Sequence, residues 1–396
     1  MRWIKKLKKK IKKPLKKVYR FHMLRHVYPR IYKKNAKKPV NKKKAVFIEV
    51  RDENLSSNCR RIYDRLNEAG FALSVHYLHM SFARRKDYEM YCRAMAADIA
   101  DAGYIFLDES SDVFAALPIR KKTVVTQLWH ACGAFKKFGL STAEKKFGDD
   151  AKTLEKYPFH GNYTHMTVSA PEVVWAYEEA MNLKGSGVVK PLGIARTDVF
   201  FDKTAEQAAR EHLYEIFPQA KGKRVILYAP TFRGHVAGAK SPNEIDIPRF
   251  CKALSKDCVL LFKLHPFVKK KTEIPPECGD FAKDVTEDME IEELLLAADC
   301  CITDYSSLVF EYALLDRPML FYAYDLDDYY DWRGFYYPYE DFVPGPILKT
   351  QDALLDALRA LPSGFDRERM RAFRDKYMSA CDGHATERIL ECVLGE

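Results

Sequence analysis

Short apolar runs alternate with stretches of helical periodicity along most of this chain. Ala45 to Val50 is an apolar run, Ser56 to Ala69 repeats its apolar positions at three and four residues, and Phe71 to Leu78 is strand-like again. The rhythm continues through helical Tyr88 to Asp101, strands Tyr104 to Leu107 and Thr123 to Leu128, helical Glu172 to Met181 and the strand Val188 to Leu192. After a break near residue 200 it resumes. Strands are expected at Val225 to Ala229, Cys258 to Lys263, Cys300 to Thr303 and Met319 to Tyr322, with helices at Pro248 to Leu254, Ile291 to Ala298 and Ser307 to Leu315. Strands this short and this apolar are buried on both faces, which predicts parallel sheets covered by helices. The fold class is therefore α/β, with two Rossmann-like domains, residues 45–203 and 204–396, facing across a cleft. Ligands of such sheets sit beyond the carboxyl ends of the strands, where this chain concentrates its polar residues.

Charge separates residues 1–44 from the rest. That segment holds 16 Lys and 4 Arg with no acidic residue, so it carries +20, and the remaining body carries −10 out of a total of +10. The body is not a nucleic-acid-binding surface by composition, and no nucleic-acid partner is expected. Trp3, Ile4, Leu7, Ile11, Leu15 and Val18 recur at three- and four-residue spacing among lysines, which describes an amphipathic helix interrupted at Pro14. Trp3, Ile4, Lys5, Lys6, Leu7, Lys8, Ile11 and Lys12 are the candidate contacts with an anionic membrane surface, each basic residue adding about 1 kcal/mol. Lys33 to Lys44 would extend that contact. A solvated charge run and an RNA-binding arm are the alternatives; the apolar stripe favours the membrane.

No run in the arm reaches the roughly 18 apolar residues of a membrane span, and no apolar core follows the basic start as in a signal peptide. The expected place is the cytoplasmic side of the cell membrane, peripherally bound. Ten Cys without a CxxC pair read as reduced core thiols, not as a disulfide framework or a zinc site, and neither a metal nor a cofactor is expected.

Candidate chemistry gathers at strand ends. The strand ending at Thr303 is followed by Asp304-Tyr305-Ser306-Ser307 and then at once by an apolar helix, so backbone N–H groups and two hydroxyls can meet an anion there. The same residues also fit a plain helix cap with Glu311 nearby. Two further strand ends tip the balance: Ala229-Pro230-Thr231-Phe232-Arg233 and Lys263-Leu264-His265-Pro266 bring fixed positive charge and an imidazole, the groups a diphosphate requires. In the first domain, Thr123 to Leu128 runs into Trp129-His130-Ala131-Cys132-Gly133, with Lys136 and Lys137 beyond. His130 is the candidate general base, because removing a proton from an alcohol needs a group whose pKa lies near working pH. Cys132 has no base paired with it in the sequence, so covalent catalysis is not expected. Tyr329, Tyr330, Trp332, Phe335, Tyr336, Tyr337 and Tyr339 crowd one segment, either as packing between domains or as a wall for the acceptor. Asp325, Asp327 and Asp328 in that segment lack the glycine and terminal glutamate of a calcium loop.

The pieces QLWHACGAFKKFG, LGIARTD, YAPTFRG, KLHP, TDYSSLVFEYALLDRP and YDLDDYYDWRGFYYPYEDFVPGPI occur in this order over residues 45–390. Together they resemble the CDP-glycerol glycerophosphotransferases that build teichoic-acid and related polyol-phosphate polymers. The resemblance implies a GT-B arrangement, with an N-terminal acceptor domain and a C-terminal CDP-donor domain, working without a required metal. It makes His130 the base and lets His265 hold and polarise the diphosphate. The donor contacts it implies are Arg196, Thr231, Arg233, Lys263, Thr286, Ser306 and Ser307, and Trp129, Gly133 and Glu311 are counted with them. The chain departs from the family at Ala131-Cys132-Gly133 and at Ala195, which bears on the acceptor more than on the chemistry. The implied reaction is transfer of glycerol phosphate from CDP-glycerol to a hydroxyl of a lipid-diphosphate-linked saccharide or polyol-phosphate acceptor, with CMP released. CDP-ribitol, or a nucleotide sugar on the same fold, are the alternatives, and the length suits a single-unit primase.

Overall fold

The computed structural model describes residues 15–51, 53–79, 84–143, 159–234, 238–242, 245–361 and 363–395. The proposed membrane contacts Trp3 to Lys12 lie outside them. Each half of the chain forms one six-stranded parallel sheet. The first contains β1 (Asn41–Glu49), β2 (Ala72–Tyr77), β3 (Ala102–Leu107), β4 (Val124–Gln127), β5 (His165–Thr167) and β6 (Val189–Lys190), in the order β2-β1-β3-β4-β5-β6. The second contains β7 (Arg224–Tyr228), β8 (Cys258–Phe262), β9 (Ala282–Asp284), β10 (Cys300–Thr303), β11 (Met319–Tyr322) and β12 (Ile347–Leu348), in the order β12-β11-β10-β7-β8-β9. Ala45 to Ile48, Val259 to Phe262 and Cys300 to Thr303 are buried throughout, because helices cover both faces.

Folding starts before residue 45. Residues 15–22 are helical, a π-helical turn at Met23–Val27 follows, and helix α1 (Tyr28–Asn35) continues the path. Met23, Leu24, Tyr28 and Tyr32 lie at helical spacing and are buried with Cys92 and Met95 of α3 (Arg85–Asp98). Lys42 to Lys44 belong to β1. Lys44 is tied to Asp98 and Asp101 at 2.7 and 2.6 Å and does not extend a basic arm. Upstream, Leu15 and Val18 remain exposed. No helix among the described residues is long and apolar enough to cross a membrane. All ten cysteines are free thiols, eight of them buried.

Helix starts follow local capping chemistry. Ser56 caps α2 (Ser57–Glu68) through Cys59 N at 3.4 Å, and Asp202 caps α6 (Lys203–Ile216) through Thr204 N at 2.8 Å. The intervening helices are α4 (Asp112–Ala115) and α5 (Val174–Met181). The second half adds α7 (Ile247–Leu254), α8 (Ile291–Ala297), α9 (Leu308–Ala313), α10 (Leu326–Arg333), α11 (Tyr339–Phe342), α12 (Gln351–Ala360), α13 (Arg367–Tyr377) and α14 (Ala385–Leu394).

The two halves share one apolar core. It runs from Met166, Val168 and Tyr177 of the first to Tyr305, Phe310, Tyr339 and Tyr377 of the second without a break. The aromatic segment carries the join. Tyr336 N donates to Phe135 O at 2.9 Å and Lys137 N to Gly334 O at 3.1 Å, while the rings of Phe335 and Phe342 lie 5.0 and 4.8 Å from that of Phe135. The chain's last helix, α14, returns to the first domain, where Ile389 and Val393 pack against Ala45, Phe47 and Phe106. Asp198 of the LGIARTD run holds its start, accepting from Ala385 N and Thr386 N at 3.0 and 2.9 Å.

Candidate active site

β4 ends at Gln127, and two residues later Trp129 turns the chain sharply. Trp129 has φ +60°, a left-handed conformation that costs a side-chain-bearing residue roughly 1–2 kcal/mol. Three hydrogen bonds hold the turn, one from β4 itself and two from other parts of the fold. Trp129 N donates to Gln127 Oε1 at 2.9 Å, Trp129 O accepts from Asn58 Nδ2 at 2.8 Å, and His130 O accepts from Arg196 Nη2 at 3.3 Å. The turn thereby aims His130 away from the strand.

His130 Nδ1 lies 3.0 Å from Glu109 Oε2. Burial lowers the imidazole pKa below its usual value, against an opposing pull from Glu109. His130 is thus neutral at neutral pH, as a base must be. Burial works to raise Glu109, but His130 and the amide of Ser110 more than reverse it and keep the carboxylate ionised. Glu109 stands just past the end of β3, an acidic residue at a strand end, and that position was the signal available in the sequence.

Arg196, Glu311 and Gly133 meet at the joint between domains. Arg196 pairs with Glu311 of α9 and lies 3.4 Å from Glu292 of α8, so its charge is matched by two carboxylates from the other half. Its pKa is raised against the cost of burial, first by Glu311 and also by Glu292. Gly133 has φ +58°, and a Cβ there would lie 2.2 Å from the Phe310 ring of α9. Cys132 is buried, and burial beside Glu311 pushes its thiol well up, which opposes a nucleophilic thiolate.

In the second domain, the turn after β10 is held by Asp304. Its Oδ1 accepts from Thr231 N and Tyr305 N at 2.8 and 2.6 Å, and its Oδ2 pairs with Arg233 Nη1 at 2.9 Å. Arg233 also grips Asp325 through Nε and Nη2 at 2.6 and 2.9 Å and lies over the rings of Tyr305 and Tyr329. Asp325 is thus an ion-pair partner of Arg233, a role that its place in the sequence does not show. Thr231 Oγ1 is buried without a hydrogen-bond partner. Ser307 precedes α9 without capping it by its side chain, whereas Ser306 Oγ accepts from Leu308 N at 3.3 Å. Of the two serines, one is spent on the helix start.

Lys263 Nζ donates to the carbonyls of Thr286 and Met289 at 2.8 and 2.6 Å, and Leu264 N donates to Thr286 Oγ1 at 2.9 Å. Lys263 and Thr286 therefore brace the loop that carries His265. His265 packs in a ring cluster with Phe232 and Phe267, its centroid 4.8 and 4.6 Å from theirs at tilted angles, and its Nδ1 accepts from Phe267 N at 3.2 Å, which leaves the proton on Nε2. Burial first, then the charges of Lys136 and Arg51, lower its pKa to about 4. Arg51, just past β1, also depresses His130, so one guanidinium of the first domain acts on both imidazoles. Sequence reading did not single it out.

Residues 30–395 match the family model described as CDP-glycerol:poly(glycerophosphate) glycerophosphotransferase. The chain belongs to that family. It is 37% identical over 362 residues to the teichoic acid ribitol-phosphate primase of Bacillus spizizenii, covering 90% of this chain and 92% of that one. It is 40% identical to the teichoic acid ribitol-phosphate polymerase TarL of Staphylococcus aureus, over 75% of this chain and 52% of that one. With the teichoic acid glycerol-phosphate primase of Bacillus subtilis it shares 30% identity, over 69% and 68% of the two chains. The solved wall teichoic acid polymerase TagF superposes with a TM-score of 0.77 over 98% of this chain and 97% of that one, at 23% identity, and so shares the GT-B-like fold of two Rossmann-like domains.

Proposed function

We propose that this glycerophosphotransferase-family chain transfers a polyol phosphate from a CDP-polyol to a hydroxyl of a lipid-linked saccharide or polyol-phosphate acceptor in teichoic-acid synthesis. His130 takes the acceptor proton, the acceptor oxygen attacks the β-phosphorus, the bond from that phosphorus to the bridging oxygen breaks, and CMP leaves. His265 Nε2–H and the backbone amides before α9 stabilise charge on the diphosphate, with Thr231 and Ser307 hydroxyls completing the cradle. The observation that carries the reading is the 3.0 Å approach of Glu109 Oε2 to His130 Nδ1, in a place where burial lowers the imidazole pKa. Arg233 and Arg196 enter as charges already matched by carboxylates, so they shape the donor side more than they attract it.

Glycerol is the donor unit implied by the motifs, and ribitol is the second reading. Identities of 37% and 40% to ribitol-phosphate enzymes, against 30% to a glycerol-phosphate primase, favour ribitol. Incubation with CDP-glycerol or CDP-ribitol and a lipid-diphosphate disaccharide, followed by mass measurement, gives the unit and the number added. Absence of CMP release from both donors overturns the reading. The basic N-terminal segment binds the cytoplasmic leaflet peripherally, consistent with the exposed Leu15 and Val18 where the described helix begins. A chain lacking residues 1–18 should fail to float with anionic vesicles, and undiminished flotation refutes the anchor.

A further inference from the structure

Asn58 joins the His130 turn to the backbone of the arginine at the domain joint. It sits in the first turn of α2, 3% exposed. Its Nδ2 donates to Trp129 O at 2.8 Å and its Oδ1 accepts from Arg196 N at 2.9 Å. The carbonyl it holds belongs to the left-handed residue immediately before His130. The amide it holds belongs to the residue whose guanidinium reaches His130 O on one side and Glu311 of the donor domain on the other. The helix carrying Asn58 is itself fixed by Glu49, whose Oε1 accepts from Ser56 N and Oγ at 2.9 and 3.0 Å.

An asparagine amide is the one group of this size that offers a donor and an acceptor in a fixed plane. Both of its ends are used here, in a buried place where an unmet carbonyl or amide is costly. We propose that Asn58 is a positioning residue for the transfer reaction: it holds the strained Trp129 turn so that His130 meets the acceptor hydroxyl, and it registers that turn against the donor domain through Arg196. This inference rests on the role given to His130 above.

Two substitutions separate positioning from helix stability. Asn58→Ala removes both bonds. Asn58→Asp keeps the acceptor for Arg196 N but sets a carboxylate oxygen against Trp129 O. In the first turn of a helix a carboxylate is favourable, so a residue that only stabilised α2 would tolerate Asp well. Positioning predicts instead that Asn58→Asp loses kcat by about 10- to 100-fold, the usual cost of removing an orienting partner, while KM for the CDP-polyol stays within about twofold. The imidazole titration of His130, followed by NMR in the ligand-free protein and assigned with His130→Ala, should shift in both Asn58 variants. Wild-type kcat and an unshifted His130 in Asn58→Asp overturn the proposal, as does a loss of kcat that only follows a lowered melting temperature. If the wild type releases no CMP from either donor, the functional reading fails, and the His130 titration still decides the role of Asn58.

Discussion

Glu109 Oε2 stands 3.0 Å from His130 Nδ1, just past the end of β3, the strand next to the one that delivers the histidine. The carboxylate opposes the effect of burial on the imidazole. Replacing Glu109 by Gln removes that opposition, so the His130 pKa falls further and the acid limb of kcat/KM moves to lower pH. The plateau should also drop, by about 100-fold, because the ring loses its orienting charge. A pH–rate profile of Glu109→Gln checks both signs, and an acid limb moving upward refutes the pairing.

His265 is neutral in the free protein at neutral pH, its pKa held to about 4 by burial and by Lys136 and Arg51. A diphosphate beside it favours the imidazolium and raises that value. Binding of the CDP-polyol at about pH 5.5 should therefore take up protons, and the uptake should vanish in His265→Asn. Calorimetry in two buffers of different ionisation enthalpy measures it; zero uptake in the wild type removes His265 from the diphosphate.

Glu311 has 3% of its side chain exposed and pairs with Arg196 across the domain joint. Glu311→Ala leaves a buried guanidinium with Glu292 alone at 3.4 Å. The expected loss is about 3–5 kcal/mol, read from urea unfolding, and the combined change Arg196→Met with Glu311→Leu should recover most of it. A single variant as stable as wild type would show the pair to be superfluous.

Gly133 approaches α9 too closely for any Cβ. Gly133→Ala should cost about 1–2 kcal/mol for its positive φ and about 1–3 kcal/mol for the overlap with Phe310. Adding Phe310→Leu should return part of the second amount only. Equal unfolding midpoints for the single and double variants contradict the contact.

The parts of this fold that the sequence revealed are those governed by local pattern. β10 and β11 span Cys300–Thr303 and Met319–Tyr322, the limits their apolar runs set. His130 and His265 emerge at strand ends because polar residues after a buried strand are exceptional. β5, β9 and β12 went unread; with two or three residues each they are too short to show a period, and neighbouring strands impose their conformation. Glu109 and Asn58 lie 21 and 72 residues from His130, and Arg196 finds Glu311 115 residues away. Such partnerships depend on three-dimensional approach, which no spacing along the chain encodes. The same holds for Arg233, whose charge reads as free in the sequence but is spoken for by Asp304 and Asp325.

The return of α14 to the first sheet bears on how the protein is made. Ala45, Phe47 and Phe106 emerge in synthesis more than 280 residues before Ile389 and Val393, which cover them. The half made first must wait, one face uncovered, while the other half is translated. A nascent chain arrested before residue 385 should bind a chaperone that recognises apolar surface, and release should coincide with the arrival of the helix that Asp198 receives.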